Sequence, residues 1–272
     1  MPTFTAHDGI TLHYTDHGEG TPILCLSGLT RNGQDFNYVA PHLADHRVIR
    51  LDYRGRGKSD WADPATYQIA NEARDVLDLL DHLGLEQTAI LGTSRGGLIA
   101  MVLAAIAHDR LTGVCLNDIG PELDPRGLDV IMNYIGKNPS QKTWADAAAI
   151  RGDIMRGFAN VPLSRWQDEV RTLFHQTPDG LHITYDPALA DAVAAAGAQP
   201  APDLWPLFDA LAGLPICAIR GANSDLLSAQ TLADMRKRRP DMITATVPDR
   251  AHIPFLDEPE ALDALQKWTA LL

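Results

Sequence analysis

Residues 92–96 read Gly-Thr-Ser-Arg-Gly, with the apolar stretch QTAILG leading into them and a second apolar run, residues 96–107, leading out. A serine between a strand and a helix can be a plain N-cap. It can also be a nucleophile, and then the two glycines have a cause. The turn is so sharp that the residues two before and two after the serine must lack bulk, while the serine itself takes a strained backbone conformation. Its hydroxyl then stands free at the carboxyl end of the strand, facing a helix N-terminus that favours a developing negative charge.

A serine nucleophile needs a base, and the base needs a carboxylate to orient it. In the strand–turn–helix setting the expected chain order is serine, acid, histidine. Asp225 follows the strand-like PICAIRG, and His252 follows MITATVP, so both fall where strands end. That is the edge of the sheet where Ser94 must lie. Asp118, after GVCLN, competes for the acid position; Asp225 is preferred because it lies nearer the strand from which the acid usually comes. For the oxyanion, one donor is the backbone N–H of Arg95, and the other is assigned to Leu29 in LSGLTRNG, where Gly28 permits close backbone approach.

The elements needed to place these residues are legible. PTFTA, ITLHYTDHG, PILCLSG, RVIRLDYRG, QTAILG, TGVCLNDIG, LPICAIRG and MITATVP read as strands. Helices read between them: Phe36, Val39, Ala40 and Leu43 recur at helical spacing, Val76, Leu79, Leu80 and Leu83 form one stripe over about 66–83, and SAQTLADMRKRR and EPEALDALQKWTALL follow late. The alternation predicts an α/β fold with a mostly parallel sheet. Residues 121–204 differ. They hold the helix-like pieces RGLDVIMNYIG, WADAAAIRGDIMRGF, SRWQDEVRTLF and ALADAVAAA, without a clear buried strand. The organisation expected is a core of 1–120 and 205–272 with a helical cap, 121–204, over the end of the sheet.

Composition narrows the function. With 272 residues and a formal charge of -12, the chain lacks the basic face that standing attraction to nucleic acid or anionic membranes requires; RKRR at 236–239 is its densest basic group. The longest apolar run falls well short of the roughly 20 residues that span a bilayer. The opening MPTFTAHDG does not look like a signal peptide, so the expected address is the cytoplasm. Cys25, Cys115 and Cys217 sit in apolar strand-like runs and read as reduced core residues. RGRGKS at 54–59 would place Asp52 where a phosphate-binding loop needs its first glycine; Gly55 and Gly57 instead allow a tight loop. The pairs His13/His17 and His42/His46 are not HExxH, so no metal is expected. Met132, Tyr134, Trp144, Phe158 and Trp166 could wall a pocket, but helical spacing favours cap core.

With LSG after the third strand, DYRGRGKSD, GTSRGG, the Asp of RGANSD and the His of RAHIPFLDEPE, the chain resembles the α/β-hydrolase superfamily. More narrowly it resembles capped members such as carboxylesterases, enol-lactone hydrolases, carbon–carbon bond hydrolases and cofactor-free haloperoxidases. The resemblance implies an eight-stranded sheet, a cap inserted after the sixth strand and a pocket between the two. It assigns Ser94 as nucleophile, Asp225 as acid, His252 as base, and Leu29 with Arg95 as oxyanion donors, with no cofactor. Two positions depart from the common pattern. Ser27-Gly28 stands where many relatives have His-Gly, and Arg95 stands where an apolar residue is common. The Arg95 guanidinium could read a substrate carboxylate; the alternative, preferred here, is that it turns away and pairs with an acidic side chain.

The expected activity is hydrolysis of a carboxylic ester or lactone of a small, largely apolar molecule, by a monomer or homodimer. Carbon–carbon cleavage of a diketone-type substrate, or a receptor retaining the triad, are the alternatives.

Overall fold

The computed structural model describes residues 2–272. The chain opens with β1 (Thr3–Thr5), β2 (Thr11–His17), β3 (Pro22–Leu26) and β4 (Arg47–Leu51), then α1 (Ile69–His82), β5 (Thr88–Thr93), α2 (Arg95–Ile106) and β6 (Leu111–Asn117). An insert follows, made of α3 (Pro125–Tyr134), α4 (Trp144–Ile154), α5 (Leu163–Leu173), β7 (Phe174–Thr177), β8 (Gly180–Ile183) and α6 (Leu189–Gly197). The chain returns through α7 (Trp205–Asp209), β9 (Ile216–Gly221), α8 (Ala229–Arg238), β10 (Ile243–Val247) and α9 (Pro259–Thr269).

The eight strands outside the insert form one sheet in the order β1-β2-β4-β3-β5-β6-β9-β10. Strand β2 is antiparallel to both neighbours, and the remaining pairs are parallel. The central strands are apolar on both faces because both faces are covered. Successive side chains of β3 go to opposite cores: Leu24 and Leu26 join one with Val76, Leu79 and Ile99, and Ile23 and Cys25 join the other with Phe36, Leu265 and Trp268. Each fully buried aliphatic side chain contributes roughly 1.5–3 kcal/mol. Cys25, Cys115 and Cys217 are free and buried, and burial pushes the Cys25 thiol up to about 12.

Helix α2 packs tightly against the sheet because its first turn is glycine: a Cβ on Gly96 would lie 2.1 Å from the Leu26 carbonyl oxygen, and one on Gly97 2.3 Å from Ile119. That contact fixes the helix N-terminus directly behind the end of β5.

Two local expectations are corrected. The segment around Phe36 is two short 3-10 helices, Gly33–Phe36 and Ala40–Leu43. Asn32 caps the first by accepting from Gln34 N–H, and Pro41 near the start of the second cannot donate a bond that would join them. Phe36, Val39 and Leu43 are buried even so. The insert also contains the antiparallel hairpin β7–β8. Its strands are four residues long and half polar, so only Phe174, Leu181 and Ile183 carried an apolar signal.

The insert is fastened to the rest of the chain by an aromatic triad and ion pairs. Phe255, beyond β10, lies 5.5 Å from Phe158 and 5.9 Å from Trp166 between ring centroids, and Arg31 pairs with Glu169 of α5 at 2.9 Å. The basic run that ends α8 is largely balanced locally, with Lys237 on Asp234, Arg238 on Asp209 and Arg239 on Asp241. No described helix is long and apolar enough to cross a membrane.

Candidate active site

Strand β5 ends at Thr93, and Ser94 has φ 51° and ψ -113°, a conformation non-glycine residues rarely adopt. The glycines make that turn possible. A Cβ on Gly92 would lie 2.6 Å from the Gly96 carbonyl carbon and oxygen, so the chain on either side of the serine closes to contact that no side chain could share. The elbow is anchored by Ser94 N–H donating to the Asn117 carbonyl (3.0 Å) and Gly96 N–H donating to the Ser27 carbonyl (3.1 Å). The Ser94 side chain makes no capping bond; its hydroxyl is directed elsewhere.

It is directed at His252. Oγ of Ser94 lies 3.0 Å from Nε2 of His252, and Nδ1 of the same ring lies 2.7 Å from Oδ2 of Asp118. A carboxylate can only accept here, so the ring holds its proton on Nδ1 and offers Nε2 to the serine. The carboxylate that the structure brings to His252 is that of Asp118; Asp225, expected there from the sequence, makes no hydrogen bond to the ring. Asp118 directly follows β6, the neighbour of β5, whereas Asp225 stands four residues beyond the end of β9. Asp118 has φ 56°. It is fully buried, with Oδ1 accepting from Gly221 N–H at 2.8 Å and Oδ2 also accepting from the Ser224 hydroxyl at 2.6 Å. Three donors thus hold one carboxylate. Asp225 lines the cavity in front of the serine and makes no hydrogen bond or ion pair with any described residue.

The loop carrying His252 is held from both sides. Asn117 Nδ2 donates to the Pro254 carbonyl at 3.2 Å, and Arg250 pairs with Glu258 at 2.7 Å.

The backbone N–H groups of Leu29 and Arg95 donate to no described residue. Gly28, next to Leu29, comes within ordinary contact of Ser94: a Cβ there would be 3.9 Å from that of the serine. Two unpaired donors beside a serine hydroxyl fit the requirement for an oxyanion site. The loop lacks a bracing histidine, and other groups replace it: Tyr53 donates its hydroxyl to the Ser27 carbonyl at 3.0 Å, and Arg56 Nε donates to the Leu29 carbonyl at 3.0 Å.

Arg95 faces away from the cavity. Its Nε donates to Glu72 at 2.5 Å and its Nη2 to the Tyr67 carbonyl at 3.0 Å. The same Glu72 pairs with Arg56 at 3.0 Å, so one fully buried carboxylate joins the two residues that position Leu29 and Arg95. Sequence reasoning assigned no role to Arg56 or Glu72. The signal available was slight: Arg56 lies in the charged run DYRGRGKSD after β4, and only Glu72 falls on a stripe with the apolar Val76 and Leu79 of α1. Gly55 and Gly57 do shape a tight loop there, with φ 73° and 59°.

In front of Ser94 and His252 lies a cavity of about 810 Å³, bounded by the sheet edge on one side and the insert on the other. That is ample for a small organic molecule. Tyr134, Phe158 and Trp166 line it, while Met132 is exposed and Trp144 packs within the insert. The arrangement can deprotonate a serine, deliver it to a carbonyl and bind the resulting oxyanion.

Known proteins agree with the fold. Residues 21–259 match the model of the alpha/beta hydrolase fold family. The chain is 36% identical, over 91% of its length and 88% of the other, to a 3-hydroxybutyrate-oligomer hydrolase of Cupriavidus necator. It is 28% identical, over 89% and 85%, to a 2-(acetamidomethylene)succinate hydrolase of Mesorhizobium japonicum. Among solved structures, an alpha/beta hydrolase from Novosphingobium aromaticivorans superposes with a TM-score of 0.93 at 39% identity, covering 100% of this chain and 98% of that one. The chain is an enzyme that belongs to the alpha/beta hydrolase fold family.

Proposed function

We propose that the protein hydrolyses carboxylic esters or lactones of small molecules through an acyl-enzyme formed on Ser94. The observation that carries this reading is the unbroken line Ser94 Oγ, His252 Nε2, His252 Nδ1, Asp118 Oδ2, with spacings of 3.0 and 2.7 Å, at the floor of a cavity. His252 takes the serine proton as the oxygen attacks the carbonyl carbon. The N–H groups of Leu29 and Arg95 hold the oxyanion, and His252 then gives its proton to the leaving alcohol. Water, deprotonated by the same ring, releases the acyl group. Asp118 keeps the ring in the required tautomer and stabilises its positive state.

The likeness to a 3-hydroxybutyrate-oligomer hydrolase supports an oxygen ester as the scissile bond and makes short hydroxyacyl esters the first substrates to try. The test is a panel of p-nitrophenyl esters, lactones, diketones and 3-hydroxybutyrate dimers assayed with wild type and Ser94→Ala. Ester turnover by wild type that vanishes in the variant is expected. Turnover that persists in Ser94→Ala overturns the nucleophile, and a wild type that binds panel members without turning any over favours a receptor.

A further inference from the structure

The cavity is lined by five Lys and Arg side chains against three acidic ones, in a protein whose formal charge is -12. Most of the cations there are already committed or solvated. Arg31 is held by Asp35 at 2.7 Å and Glu169 at 2.9 Å. Arg165 pairs with Asp257 and lies over the Tyr38 and Phe255 rings. Lys137 donates to the Asn133 carbonyl, and Arg156 is exposed.

Arg151 of α4 is different. Its guanidinium makes no hydrogen bond or ion pair with any described residue, and its Nε is buried without a partner. Glu169, the acidic group that acts on it most, is engaged by Arg31. Burial first, and the like charge of Arg31 second, push the Arg151 pKa down to about 10, so the group is still cationic at neutral pH. A desolvated guanidinium with no counter-ion is costly. An anionic ligand with planar, bidentate acceptors would remove that cost.

We propose that Arg151 is a carboxylate-binding residue of the substrate site, and that the enzyme prefers esters bearing a free carboxylate. The proposal deepens the esterase reading and rests on it for the identity of the scissile bond. The carboxylate-reading role considered for Arg95 thus passes to an arginine of the insert that lines the cavity.

Wild type, Arg151→Met and Arg151→Lys are to be compared on p-nitrophenyl hemiglutarate and on the neutral p-nitrophenyl valerate. The ratio of kcat/KM for the charged over the neutral ester is expected to fall by about ten- to a hundredfold in Arg151→Met, the range of a charge-assisted hydrogen bond, and to be partly restored in Arg151→Lys. An unchanged ratio overturns the proposal. Removing an unpaired buried charge should leave the thermal midpoint of Arg151→Met equal to wild type or higher; a large fall would mark Arg151 as structural and also overturn it. Should wild type cleave neither ester, calorimetric titration of Ser94→Ala with glutarate separates the two readings. Binding lost in Ser94→Ala/Arg151→Met supports the carboxylate site without the esterase, and absence of binding in Ser94→Ala refutes the site.

Discussion

Asp118 and His252 are 134 residues apart in the chain and 2.7 Å apart across the site. The carboxylate reaches that position from the strand next to the one bearing Ser94, and its other contacts, with Gly221 N–H and the Ser224 hydroxyl, leave it little freedom to turn. A group so fixed can hold one imidazole tautomer throughout the reaction.

Asp118→Asn is therefore expected to lower kcat by a factor on the order of 10⁴, the cost of losing the correct tautomer and the charge that stabilises imidazolium. Asp225→Asn should change kcat by no more than a factor of a few. Steady-state kinetics on one good ester decides between them; the reverse ranking would return the acid role to Asp225.

Glu72 is the one carboxylate paired with both Arg56 and Arg95; Arg56 holds the Leu29 carbonyl, and Arg95 opens α2. Glu72→Gln leaves two buried guanidinium groups beside a neutral amide. A loss of about 3–5 kcal/mol in stability is expected, read by urea unfolding. In the protein that still folds, kcat should fall more than KM rises, because misplaced oxyanion donors act on the transition state. A KM effect with kcat intact would argue against this link.

Gly96→Ala sets a methyl group 2.1 Å from the Leu26 carbonyl oxygen, a backbone atom that cannot move without shifting β3. The variant is expected to be inactive and strongly destabilised, whereas Gly84→Ala, where an added Cβ meets nothing within 4 Å but φ is 64°, should show a modest loss of stability only. Thermal unfolding and ester turnover of the two variants check the contrast.

The hydrogen bond from Arg54 holds the Asp8 carboxyl below its ordinary range. A folded value lowered in this way gives stabilisation that is complete above the unfolded pKa of about 3.9 and is lost as pH falls through the folded one. Because Asp8 is partly exposed, its pair with Arg54 is screened and is expected to contribute no more than about 1 kcal/mol. The thermal midpoint of Asp8→Asn should lie below that of wild type at pH 7, and the gap should begin to narrow near pH of about 3.9 and close only below the lower folded value. A gap that persists at low pH would point to packing instead of charge.

The eight strands of the main sheet, the helices α1, α2, α8 and α9, the turn at Ser94 and the histidine at 252 were all readable from the chain. Each leaves a local mark: alternating or continuous apolar runs, helical stripes, a glycine where backbone meets backbone, a polar residue just past a strand. The four-residue strands β7 and β8 leave almost none. The choice between Asp118 and Asp225 was not local at all, since both follow strands at the same edge of the sheet. What separates them is how the loops pack: Asp118, one residue past β6, turns with φ 56° to meet His252, and Gly221 N–H at the end of β9 and the Ser224 hydroxyl just beyond it hold it there. The same holds for the arginines. Sequence put a cation at position 95 beside the nucleophile, and tertiary packing turned it onto Glu72 while leaving Arg151, remote in the chain, unpaired at the wall of the cavity. Charge partners are determined by what folding brings within a few ångströms, and that is a property of the packed chain.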